Sequence, residues 1–322
     1  MRFVAAQILA SAIALSASAG NAQTTEFGVY RGPGCDGRAR LAQFEKFTGR
    51  KVERTVDALS QETWESVRSS IDWITGCWKG SGVKLTLSVP MMPKSGGGTF
   101  REGIEGKHDD VFIQTAKSLV ANGYADATVR IGWEFNGDWM PWAAAKDPDG
   151  YIALFRHIVA VMRQVEGQKF TFNWCPNHRR HAIDPARAYP GDDVVDIIGM
   201  DVYDEIWSSQ RAEPHARWTW FVEQPTGLQW HLNFAKEHGK PIAYDEWGTG
   251  TRPDGHGAGD DPVFIEGMAD WFARSKPLYQ SYWDNPSAEF NTELSTWQFP
   301  KAAAAFVERF SPAKGDRADD RR

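Results

Sequence analysis

Two glutamates stand at the ends of short apolar stretches, and each has a tryptophan as its neighbour. Glu134 follows the stretch 127–133, and Glu246 lies near the end of the stretch 241–248. A carboxyl group at the end of a rigid strand can face a solvent-filled cleft and act as a catalytic acid or base. Paired carboxyl groups beside indoles are typical of glycosidases, so the sequence predicts hydrolysis of a sugar chain.

The chain is rich in tryptophan, with 15 among its 322 residues. This number exceeds what core packing needs, and flat indoles stack well on the apolar faces of sugar rings. The composition therefore agrees with a carbohydrate ligand.

The elements that hold the two glutamates follow from eight apolar stretches that alternate with amphipathic ones. The predicted strands are 26–31, 52–59, 84–91, 127–133, 169–174, 194–203, 242–247 and 278–283. The predicted helices are 38–47, 62–77, 109–122, 151–165, 228–237, 264–272 and 301–310. Continuous apolar strands that alternate with helices predict a parallel sheet, which eight repeats close into a single-domain (β/α)8 TIM barrel. An open doubly wound sheet is the competing fold, but no glycine-rich phosphate loop follows the first strand.

Side-chain alternation predicts which residues of strands four and seven face the barrel interior. Arg130 and Glu134 share one face of strand four, whereas Tyr244 and Glu246 share one face of strand seven. Asp245 is then expected to point toward the helices. A carboxyl separation near ~5 Å would make one glutamate a nucleophile, whereas roughly 6.5 to 9.5 Å would leave room for a water and imply inversion.

Three motifs in order resemble those of glycoside hydrolase family 26, the β-mannanase family among the retaining (β/α)8 glycosidases. Residues 130–139 contain Arg-x-x-x-Glu-x-Asn-Gly-x-Trp, which resembles the strand-four motif of that family. Tyr-Pro-Gly-Asp at 189–192, followed by residues 195–203, resembles its strand-six motif. Asp-Glu-Trp-Gly at 245–248 corresponds to the nucleophile strand. The resemblance extends over most of the chain after residue 22.

The resemblance implies a role for each matching residue. Glu134 would be the acid/base, and Glu246 would be the nucleophile that forms a glycosyl-enzyme. Tyr203 would hydrogen-bond the nucleophile, and Trp283 would form the floor under the sugar being cleaved. The other predicted substrate-binding residues are Arg130, Trp133, Asn136, Trp139, Trp142, Trp174 and Trp247. Of these, Trp139, Trp142, Trp174 and Trp247 are equally compatible with a place in the core, and Arg130 is expected to form an internal ion pair with Asp201.

Trp133 departs from the family pattern, in which a histidine precedes the acid/base and contacts the sugar in the cleavage subsite. An indole there changes the sugar preference or the shape of the pocket. The substrate is therefore left open between β-mannan and another β-linked glycan, such as a β-glucan or a bacterial exopolysaccharide.

The segment His-Arg-Arg-His at 178–181 places positive charge on the loop after strand five. It could recognise acidic groups on an anionic polysaccharide. Alternatively, it is a solvated loop that pairs with Asp184, Asp192 and Asp193. A metal site at the two histidines is disfavoured, because no third ligand has a suitable spacing, and we expect neither a metal nor a cofactor.

Two other functions stay open besides hydrolysis. A non-catalytic polysaccharide-binding barrel would keep the aromatic cleft, although it has no use for a paired acid and nucleophile. A barrel lyase or transglycosylase would use the same site, because transglycosylation differs from hydrolysis only in whether a sugar or water attacks the intermediate.

Composition and the chain ends predict the setting in which the protein works. The net charge of −6 disfavours a nucleic-acid partner, and a monomer is expected. Residues 1–22 read as a secretory signal peptide, whose apolar run is too short for a membrane anchor, so the protein is expected in the periplasm or outside the cell. Residues 23–310 form the predicted catalytic domain, and the charged tail 311–322 is predicted to be disordered.

The three cysteines are an odd number for an exported protein. Cys35 would lie at the top of the barrel and Cys77 nearer its bottom, so a bridge between them is geometrically disfavoured. Cys175, beside Trp174, is interpreted as a buried thiol.

Overall fold

A computed structural model describes residues 24–312 of the chain. The predicted signal peptide and the tail from residue 313 onward lie outside the described residues. The strands are β1 Glu26–Tyr30, β2 Arg54–Ala58, β3 Lys84–Val89, β4 Thr128–Ile131, β5 Thr171–Trp174, β6 Ile197–Ile198, β7 Asp201–Tyr203, β8 Tyr244–Gly248 and β9 Tyr279–Trp283. The helices are α1 Gly34–Thr48, α2 Trp64–Trp78, α3 Phe100–Ile104, α4 Asp109–Ala121, α5 Pro148–Arg163, α6 Pro214–Glu223, α7 Leu228–Glu237, α8 Pro262–Ser275 and α9 Pro300–Phe310.

All nine strands pair in parallel, and together they occupy the eight strand positions of a barrel. β1 pairs with both β2 and β9, which joins the first strand position to the last. β6 and β7 are two halves of the predicted sixth strand; β6 pairs with β5 and β7 with β8. Bridges from Ile198 to Ile242 and from Asn177 to Asp201 connect each half to its other neighbour. The ring is therefore continuous, and the predicted (β/α)8 barrel with a single domain is confirmed.

The sixth strand is interrupted at Gly199, where polar side chains fill the barrel centre. A Cβ atom at Gly199 would lie 2.3 Å from Asp245 Oδ2 and 2.6 Å from Asn173 Oδ1. Only glycine fits against this pair, because any larger residue would displace the buried polar contact.

The helices cover the outside of the barrel with the apolar stripes that their sequences predict. In α5, Phe155, Ile158, Val159 and Met162 are all buried, and Asp147 caps the helix by accepting a hydrogen bond from the Gly150 amide at 2.9 Å. No helix among residues 24–312 is long and apolar enough to cross a membrane.

Two helices were not predicted. α3 has five residues, too few to show a helical period. α6 carries aromatic residues around most of its circumference, which hides its stripe, although its start follows a recognisable pattern. Glu213 accepts hydrogen bonds from two amides of the first turn, and Pro214 occupies the first helical position.

The predicted orientation of Tyr244 and Asp245 in β8 is wrong. The Tyr244 hydroxyl accepts a hydrogen bond from Trp271 in the helix layer, so Tyr244 points outward. Asp245 accepts hydrogen bonds from Asn173 and from Tyr279 across the barrel interior. The cause is an irregularity in the pairing with β9 between Tyr244 and Trp247, which breaks the alternation and turns both Asp245 and Glu246 inward.

Cys35 and Cys77 form a disulfide with a Cα–Cα distance of 4.8 Å, so the expectation that their positions disfavour a bridge is wrong. The start of α1 and the end of α2 meet at the side chain of Asp57 in β2. The Gly34 amide and the Trp78 indole N–H each donate a hydrogen bond to Asp57 Oδ2 at 2.7 Å.

The height of α2 along the barrel explains why the two cysteines meet. The Ser60 amide, just beyond β2, donates a hydrogen bond to Ser70 in the second turn of α2 at 3.0 Å. The first turn of α2 therefore lies above the barrel rim, and the helix ends beside β2 rather than at the barrel bottom.

We predict that replacing Cys35 and Cys77 with serine lowers the free energy of unfolding by about 3–4 kcal/mol, because the bridge closes a loop of 42 residues. Urea unfolding with and without a thiol reductant measures the change. The reductant should destabilise the wild type and leave the double variant unchanged. Equal stability of the two proteins under oxidising conditions would contradict the prediction.

Candidate active site

A cavity of about 900 Å³ opens at the carboxyl ends of the barrel strands. Both predicted catalytic residues, Glu134 and Glu246, line it. Four of the predicted substrate-binding residues also lie in its wall, namely Trp133, Trp139, Tyr203 and Trp283. These six residues therefore lie in one site, as expected for residues at the carboxyl ends of barrel strands.

The end of β4 turns sharply, and this turn aims two consecutive residues at the cavity. Gly132 has a φ of 52°, and a Cβ atom there would lie 2.3 Å from Met91 Sδ. Glu134 also has a positive φ of 52°, which is uncommon for a residue with a side chain. In an extended strand Trp133 and Glu134 would face opposite sides, whereas here both line the cavity.

Glu134 is half-buried, and each oxygen of its carboxyl group accepts a hydrogen bond. Trp139 Nε1 donates to Oε2 at 2.8 Å, and Asn177 Nδ2 donates to Oε1. Burial and the negative charge of Glu246 raise the pKa of Glu134 to about 7, although the two hydrogen bonds oppose this shift. A carboxyl group with this pKa can donate a proton near neutral pH and take it back later.

Glu246 is held by a cation and a hydroxyl. The Tyr203 hydroxyl donates to Oε2 at 2.8 Å, and Arg130 Nη2 donates to Oε1. Arg130 in turn donates to both oxygens of Asp201 at 2.8 and 2.9 Å, and its Nε donates to Ser88 at 2.8 Å. The expected ion pair between Arg130 and Asp201 is therefore present, and the donors on Glu246 complement a carboxylate anion.

Three indoles predicted as sugar platforms lie in the core instead. Trp142, Trp174 and Trp247 are fully buried. The indole N–H groups of Trp142 and Trp174 donate to the backbone carbonyl groups of Trp133 and Ala188. Alternation along β5 points Trp174 at the helices, and the irregularity in β8 does the same for Trp247. All three rings therefore stabilise the barrel and do not contact a substrate.

Arg130 and Asn136 are also fully buried, so they do not contact a substrate directly. The Asn136 amide donates to the backbone oxygens of Asn177 and Arg179 at 2.8 and 2.9 Å, and it accepts from the Asn177 amide at 2.9 Å. Asn136 therefore fixes the loop that carries Asn177 to Glu134, while Arg130 holds Glu246.

The loop after β5 does not form the ion pairs expected for it. Arg179 pairs with Glu205 at 2.7 Å rather than with the three aspartates named above, and Glu205 also pairs with Arg252 at 2.8 Å. His178 is buried against Phe221. These contacts make the loop part of the cavity wall.

Several cavity residues were missed by the sequence analysis. They include Tyr30, Asn177, Glu205, Trp207, Arg252 and Asn285, whereas Arg179 and His181 belong to the loop segment 178–181 that the sequence did indicate. Asn177 and Asn285 each follow a strand end by two or three residues, so the rule that identified Glu134 would have found them. Trp207 lies in the long loop after β7, where the sequence has no period that fixes its direction.

Trp283 stacks on Tyr30 with ring centroids 3.7 Å apart and an interplanar angle of 13°. This arrangement holds the indole flat in the wall of the cavity that Glu134 and Glu246 also line. A flat, rigid indole is suited to stacking on a sugar ring.

Among residues 24–312, one group brings three candidate metal ligands together, namely Cys175, Asp201 and Asp245. Arg130 already donates to both carboxylate oxygens of Asp201, and Asn173 donates to both of Asp245. The group is therefore satisfied as a buried ion-pair and hydrogen-bond network.

Comparison with known proteins agrees with this geometry. Residues 112–219, which contain Glu134 and Tyr203, match the sequence profile of glycosyl hydrolase family 26. A mannan endo-1,4-beta-mannosidase of Bifidobacterium adolescentis is 30% identical over 161 residues, which is 47% of this chain and 16% of that protein. The predicted resemblance to glycoside hydrolase family 26 is confirmed.

Other relatives extend the comparison. Endoglucanase H of Acetivibrio thermocellus is 33% identical over 116 residues, 33% of this chain and 13% of that protein. The matches thus span less than a fifth of either curated relative. The structure of a Bacillus subtilis mannanase aligns with 93% of this chain and 90% of its own, with a TM-score of 0.63 and 18% identity, which establishes the shared barrel.

The different positions of two indoles predict different effects of their removal. Trp174→Ala empties a fully buried site, so it should lower the free energy of unfolding by about 3–5 kcal/mol. Trp283→Ala removes a cavity wall, so it should change stability much less and weaken oligosaccharide binding. Urea unfolding and calorimetric titration separate the two effects. Similar losses of stability in both variants would contradict the assignment.

Proposed function

We propose that this chain is an endo-acting, retaining β-glycosidase in which Glu134 is the acid/base and Glu246 is the nucleophile. The observation that carries the proposal is the contrast between two carboxyl groups in one cavity. Burial and the charge of Glu246 raise the pKa of Glu134 to about 7, which suits an acid. Glu246 receives hydrogen bonds from Arg130 and Tyr203, which suit an anion.

The proposed reaction has two steps. In the first, a Glu246 oxygen bonds to the anomeric carbon while Glu134 gives its proton to the departing glycosidic oxygen, so the glycosidic bond breaks and a glycosyl ester forms. In the second, the Glu134 carboxylate takes a proton from water, and the water oxygen attacks the anomeric carbon. The ester bond breaks, Glu246 is released as a carboxylate, and both residues return to their starting states.

The charge of the cavity supports a neutral polysaccharide as the substrate. Five acidic residues line it, namely Glu134, Asp138, Glu205, Glu246 and Glu289. The cavity has two arginines, Arg179 and Arg252, which both pair with Glu205, so acidic residues outnumber arginines by five to two. A uronate would meet net negative charge, so an acidic exopolysaccharide is disfavoured.

β-Mannan is the leading substrate and a β-glucan is the second candidate. The two curated relatives are named for mannan and for glucan hydrolysis respectively. Trp133 stands where family members carry histidine, and it lies within 5.1 Å of the Arg130 guanidinium. Its shape is therefore expected to influence which of the two sugars fits beside Glu246.

The cavity mouth supports action within a chain. Trp139 and Trp207 are 46% and 45% exposed, and both line the same cavity as the catalytic pair. Exposed indoles at separate points of one open cleft can stack on sugars on either side of the cleaved bond.

Export of the protein is part of the proposal. The composition of residues 1–22 supports it, and so does the Cys35–Cys77 disulfide, since disulfides persist in oxidising compartments.

The test is a screen of the protein without residues 1–22 against neutral and acidic β-glycans, in which new reducing ends are followed. We expect cleavage of β-mannan or a β-glucan within the chain. Glu134→Gln should reduce kcat/KM by about 10²–10⁴-fold on polysaccharide, because the leaving oxygen needs a proton. Glu246→Ala should abolish turnover.

Glu266→Gln is a matched control, because Glu266 is exposed on α8 away from the cavity and makes the same chemical change. It should match the wild type. If glycans bind but none is cut, and Glu134→Gln binds as the wild type does, the protein is a binding barrel and the proposal is wrong.

A further inference from the structure

His181 contacts both side chains that donate hydrogen bonds to Glu134. Its Nε2 lies 2.8 Å from Asn177 Oδ1, and its ring meets the Trp139 indole edge-on at a centroid distance of 4.7 Å and 87°. Asn177 and Trp139 occupy the two oxygens of the Glu134 carboxyl group. The imidazole ring of His181 therefore contacts both residues that donate hydrogen bonds to the proposed acid/base.

The direction of each hydrogen bond follows from the chemistry of the partners. Asn177 Nδ2 faces Glu134, so its Oδ1 faces His181 and can only accept. His181 must then donate from Nε2. Burial and the positive charge of Arg179 lower the pKa of His181 to about 4, so the ring is neutral and carries its proton on Nε2 at neutral pH.

The remaining contacts of Asn177 leave its side-chain amide as the element that can turn. Its backbone amide donates to Asn136 Oδ1, and its backbone oxygen accepts from Asn136 Nδ2. The backbone is thus fixed by another residue, whereas the amide orientation depends on His181.

We propose that His181 is a positioning residue for the acid/base: its Nε2–H holds the Asn177 amide so that the nitrogen, and not the oxygen, faces Glu134. This inference rests on the proposed role of Glu134. It assigns a function to a residue that does not itself touch the glycosidic bond.

The orientation of the amide matters because the two ends act oppositely on Glu134. The nitrogen donates to the carboxylate and stabilises the charged form. The oxygen would accept from the protonated carboxyl group and stabilise the neutral form. Without the His181 donor, the amide can turn, and Glu134 should then hold its proton to higher pH.

The other charged groups around this shell stay in place in the variants that test it. Glu246 and Arg130 act on Glu134, while Arg179 and Asp138 act on His181. Tyr203 also lies near Glu134, but burial and the charge of Glu246 raise its pKa well above the working range. A shift in the basic limb of the pH–rate profile therefore reports a change in the hydrogen bonds to Glu134.

Two substitutions test the hydrogen-bond donor and the aromatic ring of His181 independently. His181→Phe keeps a ring against Trp139 but removes the donor, whereas His181→Gln keeps an N–H near the position of Nε2 and removes the ring. Both are assayed over a range of pH on the glycan that the wild type cleaves, together with Glu134→Gln.

The wild type should lose activity as pH rises through about 7, where Glu134 loses its proton. In His181→Phe this basic limb should move up by about one pH unit, and kcat at neutral pH should fall by up to about tenfold, because a smaller fraction of Glu134 is deprotonated and able to act as the base in the second step. His181→Gln should keep the limb at the wild-type pH. Asn177→Ala removes the donor that His181 orients, so it should move the limb upward as well, and His181→Phe should add nothing to that shift.

An unchanged basic limb in both His181→Phe and Asn177→Ala would overturn the inference, even if kcat fell, because loss of rate alone indicates a purely structural role. Equal upward shifts in the Phe and Gln variants would also overturn it. If Glu134→Gln itself retains wild-type turnover, the proposed function fails, which is a separate result.

Discussion

The buried guanidinium of Arg130 is the interaction on which the site depends. It lies fully buried at the top of the barrel, where an unpaired charge would be very unfavourable. Its Nη1 donates hydrogen bonds to both carboxylate oxygens of Asp201, and its Nη2 donates one to Glu246. Removing Arg130 would leave two buried carboxyl groups without their cation, at a cost of about 3–5 kcal/mol. The requirement to satisfy Arg130 thus fixes where the proposed nucleophile sits.

Glu134 carries the same functional group in a different environment. It accepts hydrogen bonds from the neutral side chains of Asn177 and Trp139, and burial together with the negative charge of Glu246 in the same cavity raises its pKa. The two glutamates therefore differ in environment, because Glu246 is paired with a cation and Glu134 is not. The positive φ of Glu134 and the close approach at Gly132 are the backbone features that permit this placement.

The barrel and its two glutamates could be predicted because they depend on local patterns. Continuous apolar strands such as β3 and an amphipathic helix such as α5 are readable from the sequence, and a strand end identifies Glu134 and Glu246. The side on which an indole lies could not be predicted, since Trp247 turns outward at an irregularity that arises from pairing with β9. The disulfide was misjudged for a related reason, because the height of α2 is set by contacts with β2 that no local pattern encodes. The role of His181 depends on two partners from different segments, which only the folded chain brings together.

The central claim is that Glu246, held by Arg130 and Tyr203, forms a covalent bond to the sugar while Glu134 serves as acid and then as base. The most direct measurement is to incubate the protein with a 2-deoxy-2-fluoro glycosyl fluoride of the cleaved sugar and to record the mass of the intact protein and its peptides. The account predicts the addition of one fluorosugar, located on the peptide that contains Glu246, and no addition in Glu246→Ala. Absence of any adduct together with an inverted anomeric configuration of the first product, or an adduct on another residue, would contradict it.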